Sequence, residues 1–154
     1  TLVVRPTVVY GGKYNNNINL IKQLSRYTRL SPQLNFALGS RCPVHADDLA
    51  EWIAALLQKY IGDRDAGLTT TEVQGGEVLA FKEMVSRTSR SSGLTIRAIN
   101  LSRSMFSFAL GLVGRIPFLP KTPPKLVERL EHDFVFDNRA AQAQAPMSMR
   151  FFHP

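Results

Sequence analysis

The sequence predicts an α/β domain, and three observations carry that prediction. Short apolar runs rich in β-branched residues alternate with amphipathic helical stretches. Glycine and proline punctuate the boundaries between them. Residues 49–60 hold an apolar stripe whose period is helical and cannot be a strand's.

Residues 1–4 form an apolar run that reads as a strand ended by Arg5-Pro6, because proline has no N–H to give a ladder. Thr7-Val8-Val9-Tyr10 continues extended into the Gly11-Gly12 turn. Asn15-Asn16-Asn17 supplies N-cap chemistry for a helix over 18–30, with Leu20, Leu24 and Tyr27 on one face and Ser31-Pro32 as its stop. Residues 34–38 read as a short strand. Asp48 and Glu51, three apart, resemble a capping box at the start of the clearest helix. Leu49, Trp52, Ile53, Leu56, Leu57 and Tyr60 then form a core-facing stripe, and Gly62 ends it. Residues 68–74, with three threonines and a valine, suit a strand. Gly75-Gly76 turns the chain toward a helix over about 80–91, and Gly93 stops that helix. Residues 94–99 alternate as a strand does. Ser102 can cap a helix carrying Met105, Phe106, Ala109, Leu112 and Val113, and Pro123-Pro124 opens a last one with Leu126, Val127 and Leu130. The result is a few short strands with about five helices and an irregular tail.

The 154 residues suffice for one compact domain with a core. A single cysteine, Cys42, excludes an internal disulfide framework and favours a reducing compartment such as the cytoplasm. The chain opens directly on a strand, without Met and without the basic flank of a signal peptide, as a piece cut at a domain boundary does. The net charge of +7 is unevenly placed. Residues 1–46 hold six basic side chains and no acid, and residues 86–125 hold seven and no acid. Such blocks favour phosphate-bearing partners.

Complete catalytic signatures are absent from the sequence. There is no Gly-x-Gly-x-x-Gly turn after a strand, no phosphate loop, no Gly-x-Ser-x-Gly elbow and no His-Glu-x-x-His. Cys42 and His45 lack the further ligands that a zinc site needs. Asn100-Leu101-Ser102 fits a glycosylation triplet but has no secretory context. The apolar stretch 105–120 is interrupted by Arg115 and Pro117 and is too short to span a bilayer.

Three segments, in order, carry a resemblance. They are Arg5-Pro6-Thr7-Val8-Val9-Tyr10-Gly11; then Arg41-Cys42-Pro43-Val44-His45-Ala46-Asp47-Asp48-Leu49-Ala50; then Gly75-Gly76-Glu77 followed by Phe81-Lys82-Glu83-Met84-Val85. Together they resemble the C-terminal, substrate-binding part of extended short-chain dehydrogenases/reductases, the NAD-dependent epimerase/dehydratase family. Asp137-Asn138 and Ala140-Ala141, then Arg150-Phe151-Phe152-His153-Pro154, look in part like that family's closing segment.

The resemblance implies the C-terminal portion of a Rossmann-type fold that binds NAD or NADP mainly through an N-terminal half not contained in residues 1–154. It implies a nucleotide-sugar epimerase, dehydratase or reductase as the parent, inactive in this portion alone. The family's Tyr-x-x-x-Lys pair has no counterpart here, so no catalytic residue is carried over. Pro6 and Thr7 would sit beside the nicotinamide end of the cofactor. Tyr10 and Gly11 would line the substrate cleft, Phe36 and Leu38 would flank the nucleotide base, and Arg41 would meet the diphosphate. The implied partners are a phosphate-bearing small molecule such as a nucleotide sugar, the N-terminal half, and further copies of the chain. The basic, apolar stretch 94–121 reads first as a lid or core helix and second as a membrane-surface segment. A non-catalytic module that binds RNA or serves assembly is the alternative function, although no aromatic–basic RNA motif stands in the sequence.

Overall fold

The computed structural model describes residues 2–12, 16–61, 69–113, 126–137 and 139–154. Its strands are β1 (Leu2–Pro6), β2 (Val9–Tyr10), β3 (Leu30–Leu34), β4 (Ser40–Arg41), β5 (Val44–His45), β6 (Thr69–Val73), β7 (Leu79–Ala80) and β8 (Arg97–Leu101). Its helices are α1 (Asn16–Thr28), α2 (Ala46–Tyr60), α3 (Phe81–Arg90), α4 (Arg103–Val113), α5 (Leu126–Glu131) and α6 (Arg139–Gln144). The strands join in pairs. β1–β6, β2–β5 and β3–β8 are parallel, and β4–β7 is antiparallel.

The core forms because α2 lays its apolar stripe on these pairs. Trp52 and Leu56 are fully buried among Val44, Val73, Ala141, Ala145 and Met149, with Leu2, Val4, Val9, Leu49, Ile53 and Tyr60 packed around them. The indole N–H of Trp52 donates to the Ala145 carbonyl at 3.1 Å, so its polar edge is satisfied inside the core. A second cluster joins Tyr10, Ile18, Leu79, Met84 and Phe152, and a third joins Leu34, Ala37 and Leu130 beneath Phe36, Phe81, Leu101 and Phe106.

Several elements depart from the sequence reading. α1 stops at Thr28, whose hydroxyl donates to Leu24 O and accepts from Leu30 N. Arg29 takes a positive φ of 57°, and Ser31-Pro32 lie inside β3 rather than stopping the helix. A proline is tolerated there because β3 pairs on one side only, with β8. Residues 34–38 are therefore the end of a strand and a turn, with Ala37 N donating to Leu34 O at 3.0 Å. The face of α1 is also different: Leu24 and Tyr27 are exposed, and Ser25 is buried with its hydroxyl 2.9 Å from that of Ser89. Small hydroxyls let α1 and α3 approach closely, and the larger side chains turn outward.

α2 begins at Ala46, and its N-cap is His45, whose Nδ1 accepts from Asp47 N at 3.2 Å. Asp48 is therefore inside the first turn and free of capping; it is 4% exposed and serves another purpose, described below. Leu57 of the predicted stripe is 46% exposed, whereas the other members face inward in whole or in part. β8 starts three residues later than its alternation suggests, because its register is set by β3. Ser102 does cap α4, accepting from Met105 N. α6 lies in the segment read as irregular, and Asp137 accepts from Arg139 N at its start. Gly62 and Pro123-Pro124 lie outside the described residues, as do Thr1 and Asn15; the side chains of Leu20, Ala109, Leu112, Val113 and Leu126 are likewise not described. No described helix is long and apolar enough to cross a membrane.

Trp52→Ala is expected to cost about 3–5 kcal/mol, the range for deleting a buried aromatic side chain. Trp52→Phe keeps most of the volume and loses the bond to Ala145 O, so it should cost less than the alanine variant. Urea denaturation of the three chains measures both.

Candidate functional site

The segments that follow β1, β3 and β8 bring the predicted residues into two groups joined by Cys42 and Pro43. The first group gathers around His45. Pro6 is the exposed last residue of β1, and Thr7 N continues the ladder by donating to Val73 O at 3.0 Å. The Thr7 hydroxyl donates to the Cys42 carbonyl. Tyr10 is 1% exposed, and its ring meets His45 edge-on at 5.0 Å and Phe152 at 4.8 Å. Its hydroxyl donates to Phe151 O at 2.9 Å and accepts from His153 N at 3.4 Å. Gly11 has φ of 89°, and a Cβ there would overlap the His45 imidazole. A glycine is thus required twice, by backbone conformation and by the ring against it.

The second group gathers around Arg41. β4 pairs with β7, and Arg41 also bridges to Phe134. The residue is 5% exposed, so its guanidinium points inward. Nη1 donates to Ser40 O at 2.8 Å and to His132 O at 2.7 Å. The guanidinium carbon lies 5.0 Å from the Phe134 ring centre and 5.7 Å from that of Phe81, within cation–π range. Gly39 permits this seat, since a Cβ there would collide with the His132 carbonyl. Asp133 closes the same corner: its carboxylate accepts from Ser40 N at 2.6 Å, and that bond holds its pKa below the ordinary value.

Phe36 shares a cluster with Phe81 and so adjoins the Arg41 group, while Leu38 is 73% exposed on the connecting loop. Phe36 also tilts against Phe106 at 5.6 Å. Beside it opens a cleft of about 500 Å³ lined by Asn35, Phe36, Asn100, Leu101, Ser102, Arg103 and Met105. β3 and β8 run parallel and both end here. The carboxyl ends of parallel strands are where α/β folds hold ligands, because the loops beyond them diverge and leave backbone and side-chain polar groups facing a crevice.

Of the residues that line this cleft, the sequence singles out Phe36 as a ligand contact and not Asn35, Asn100 or Arg103. Only the β3–β8 pairing brings residue 35 next to residues 100–103. The available signal was a run of polar residues, Asn100, Ser102 and Arg103, around the boundary between a strand and a helix. Arg103 is half exposed and pairs with Glu131 at 3.1 Å. Among the described residues, no three His, Cys, Asp or Glu side chains converge as metal ligands do.

Burial raises the pKa of two groups here. Tyr10 is pushed above its ordinary value mainly by loss of water, partly offset by the His153 N–H. The Cys42 thiol is raised for the same reason, with its sulfur 3.2 Å from Gly75 O. A buried, protonated thiol of this kind is a poor nucleophile.

Comparison with known proteins gives a fold. No family profile matches the chain, and no curated protein matches it in sequence. Solved structures do match. The dTDP-4-dehydrorhamnose reductase of Bacillus anthracis, solved with NADP, is 16% identical and superposes with a TM-score of 0.59 over 96% of this chain and 43% of that one. The dTDP-glucose 4,6-dehydratase of the same organism, solved with NAD, gives 12% identity and a TM-score of 0.61 over 97% of this chain and 40% of that one. MoeE5, solved with UDP-glucuronic acid and NAD, gives 19% and 0.57 over 98% and 42%. The fold is thus shared with extended short-chain dehydrogenases/reductases, and the chain spans about two-fifths of the length of these structures.

Two outcomes are expected. Gly11→Ala should destabilise the chain by about 1–2 kcal/mol through the backbone alone, and further through His45; His45→Ala in the same chain should recover the second part and leave the first. A double-mutant cycle in urea separates them. The pH dependence follows from the raised pKa values of Tyr10 and Cys42. Above the ordinary values the unfolded chain sheds protons that the folded chain keeps, so stability is full below about pH 8.5 and falls as pH rises through the Cys and then the Tyr range. Cys42→Ala and Tyr10→Phe should each flatten that fall.

Proposed function

We propose that residues 1–154 are the substrate-binding part of an NAD(P)-dependent enzyme acting on a nucleotide sugar, as an epimerase, dehydratase or reductase. The observation that carries this reading is the match of nearly the whole chain to one region of three enzymes solved with NADP, NAD or UDP-glucuronic acid. In this reading the cofactor is held mainly by a doubly wound half outside residues 1–154, and this chain alone turns nothing over.

The roles then follow from chemistry. Pro6 and Thr7, at the carboxyl end of a parallel strand, sit where a cofactor bound across that end meets the chain. Tyr10 and Gly11 form a wall that the buried hydroxyl network keeps rigid. The cleft at Phe36 takes the nucleoside: the ring offers a stacking face, and Asn35, Asn100 and Ser102 offer donors and acceptors to a base edge. Leu38, exposed on the loop two residues on, would offer an apolar contact to the same base. Arg41, next to this cleft through Phe81, supplies positive charge to the diphosphate, and Arg103 at its rim supplies a second guanidinium.

The edges of the β1–β6 pair not used between the two strands carry no ladder among the described residues, and such edges attract other strands. The isolated chain is therefore expected to self-associate, which sedimentation velocity across a concentration series reads directly; a single monomeric species at all concentrations would count against it.

Titration calorimetry with UDP-glucuronic acid or a dTDP-sugar tests the site. Binding by the chain, weakened about tenfold or more by Phe36→Ala and by Arg103→Gln, is expected. Arg41→Lys should weaken it too, because an ammonium cannot keep both the carbonyl bonds and the ring contacts that fix the corner beside the cleft. Absence of heat with every nucleotide sugar, or binding that ignores all three substitutions, would sink the reading.

A further inference from the structure

The two acid-free blocks of the sequence are left unexplained by the cleft. Residues 1–46 and 86–125 are far apart along the chain, yet α1–β3 belongs to the first and β8 with the end of α3 belongs to the second. The fold joins them at one end. α1 runs into β3 and α3 runs toward β8, and the two strands start in register, Leu30 opposite Arg97. The Arg97 N–H donates to the Arg29 carbonyl at 2.9 Å. The Ser25 and Ser89 hydroxyls are 2.9 Å apart, and the residues that follow them are Arg26 and Arg90. Arg26, Arg29, Arg90 and Arg97 are thus gathered at the amino ends of β3 and β8, and all four are exposed.

Ordinary structural roles account for part of this. Arg26 and Arg90 lie in the last turns of α1 and α3, where positive charge favours the helix dipole. Arg29 and Arg97 lie outside both helices. Among the described residues, no carboxylate pairs with any of the four, whereas Arg87, Arg103, Arg139 and Arg150 all have partners. Tyr27 stands between Arg26 and Arg29 in the chain and is 88% exposed, the most open large apolar or aromatic side chain among the described residues.

We propose that this end of the molecule is a binding surface for single-stranded nucleic acid, with the four arginines on phosphates and Tyr27 as a stacking platform for a base. Single strands fit because their bases are free to stack on an exposed ring while the backbone follows the positive charge. A membrane fits less well. The more exposed apolar side chains Met105, Phe108 and Leu38 belong to segments beyond the carboxyl ends of β3 and β8, a strand length away from the arginines, and at the arginine end Leu24 and Leu94 are open only in part, at 48% and 39%. The surface is assembled from two segments some sixty residues apart, which is why no linear aromatic–basic motif announces it.

The test is fluorescence anisotropy of the 154-residue chain with labelled oligouridylate and oligothymidylate of about 12 nucleotides, across a salt series. Binding should weaken with salt with a log–log slope of about −2.8, from four phosphate contacts at about −0.7 each. Arg26→Gln with Arg97→Gln should reduce that slope by about 1.4, and each single replacement by about 0.7. Tyr27→Ala should lower affinity about fivefold or more with the slope unchanged. Arg139→Gln, whose side chain is 92% exposed elsewhere, should change neither. Circular dichroism checks that each variant is folded, and the single replacements serve if the double does not fold. Tighter binding of the RNA than of the DNA would name RNA as the partner, and equal binding would make the surface sugar-blind. The proposal is overturned by no binding at about 50 mM salt, or by a slope that the arginine replacements leave intact. It is equally overturned by an indifferent Tyr27→Ala, or by sedimentation with phosphatidylserine vesicles that excess oligonucleotide does not reduce.

Discussion

A carboxylate in the interior decides how this chain closes. Asp48 sits in the first turn of α2 and is almost wholly buried. A charge so placed is tolerable only with partners. Arg150 supplies two: its guanidinium at 2.6 Å and its backbone N–H at 2.9 Å. The bond spans more than a hundred residues, so it fixes the tail against a helix from the first half of the chain. From that point the tail has little freedom. Phe151 O and His153 N meet the Tyr10 hydroxyl, and Phe152 N donates to Glu77 at 3.3 Å. Glu77 is itself held by both terminal nitrogens of Arg87 at 2.9 Å. The tail therefore ties α2, β2 and α3 together, and Tyr10 is rigid because the tail occupies the space behind it.

This dependence also sets what the sequence could reveal. Local signals sufficed for residues 2–4 and 69–73 as strands and for the bodies of α2, α3 and α4, because period and turn chemistry are written in neighbouring residues, whereas Arg5-Pro6, read as the end of the first strand, continues it opposite Glu72 and Val73. Asp48 shows the limit. Its position near a helix start is what a cap would occupy, and only the burial created by the tail reveals its partner. Ser31-Pro32 shows another. A Ser-Pro pair after a helix normally ends that helix, but here Thr28 has already ended it, and a one-sided strand admits the proline. Period puts Leu24 and Tyr27 on one face of α1, and that face is open to solvent. The helix instead turned its serine toward α3, since a buried pair of hydroxyls satisfies itself and allows a closer approach.

The candidate site was legible where backbone chemistry is demanding. Gly11 is such a position, because the positive φ and the imidazole against it exclude every other residue type without rearrangement. Arg41 was legible as a position but not as a conformation. A loop arginine in sequence is a solvated cation by default; here two carbonyls and two aromatic rings desolvate it and hold it. Such an arginine has spent its rotamer entropy within the fold itself. Asn35, Asn100 and Arg103 were not legible at all, since their proximity exists only through a strand pairing between distant segments.

That pairing gives the molecule its polarity. β3 and β8 run side by side, with the Phe36 cleft at one end of the pair and the exposed arginines at the other. At the carboxyl ends, aromatic and amide side chains line a cleft, and Arg103 there is matched by Glu131. Such a lining suits a small ligand held by stacking and hydrogen bonds, with a guanidinium at its rim. At the amino ends, exposed arginines have no carboxylate partner among the described residues, which suits an extended polyanion recognised by charge. Five residues of extended chain, roughly 17 Å, separate the two. Four of the basic side chains are brought to one end by topology, because two parallel strands that start opposite one another each follow a helix with arginine in its last turn.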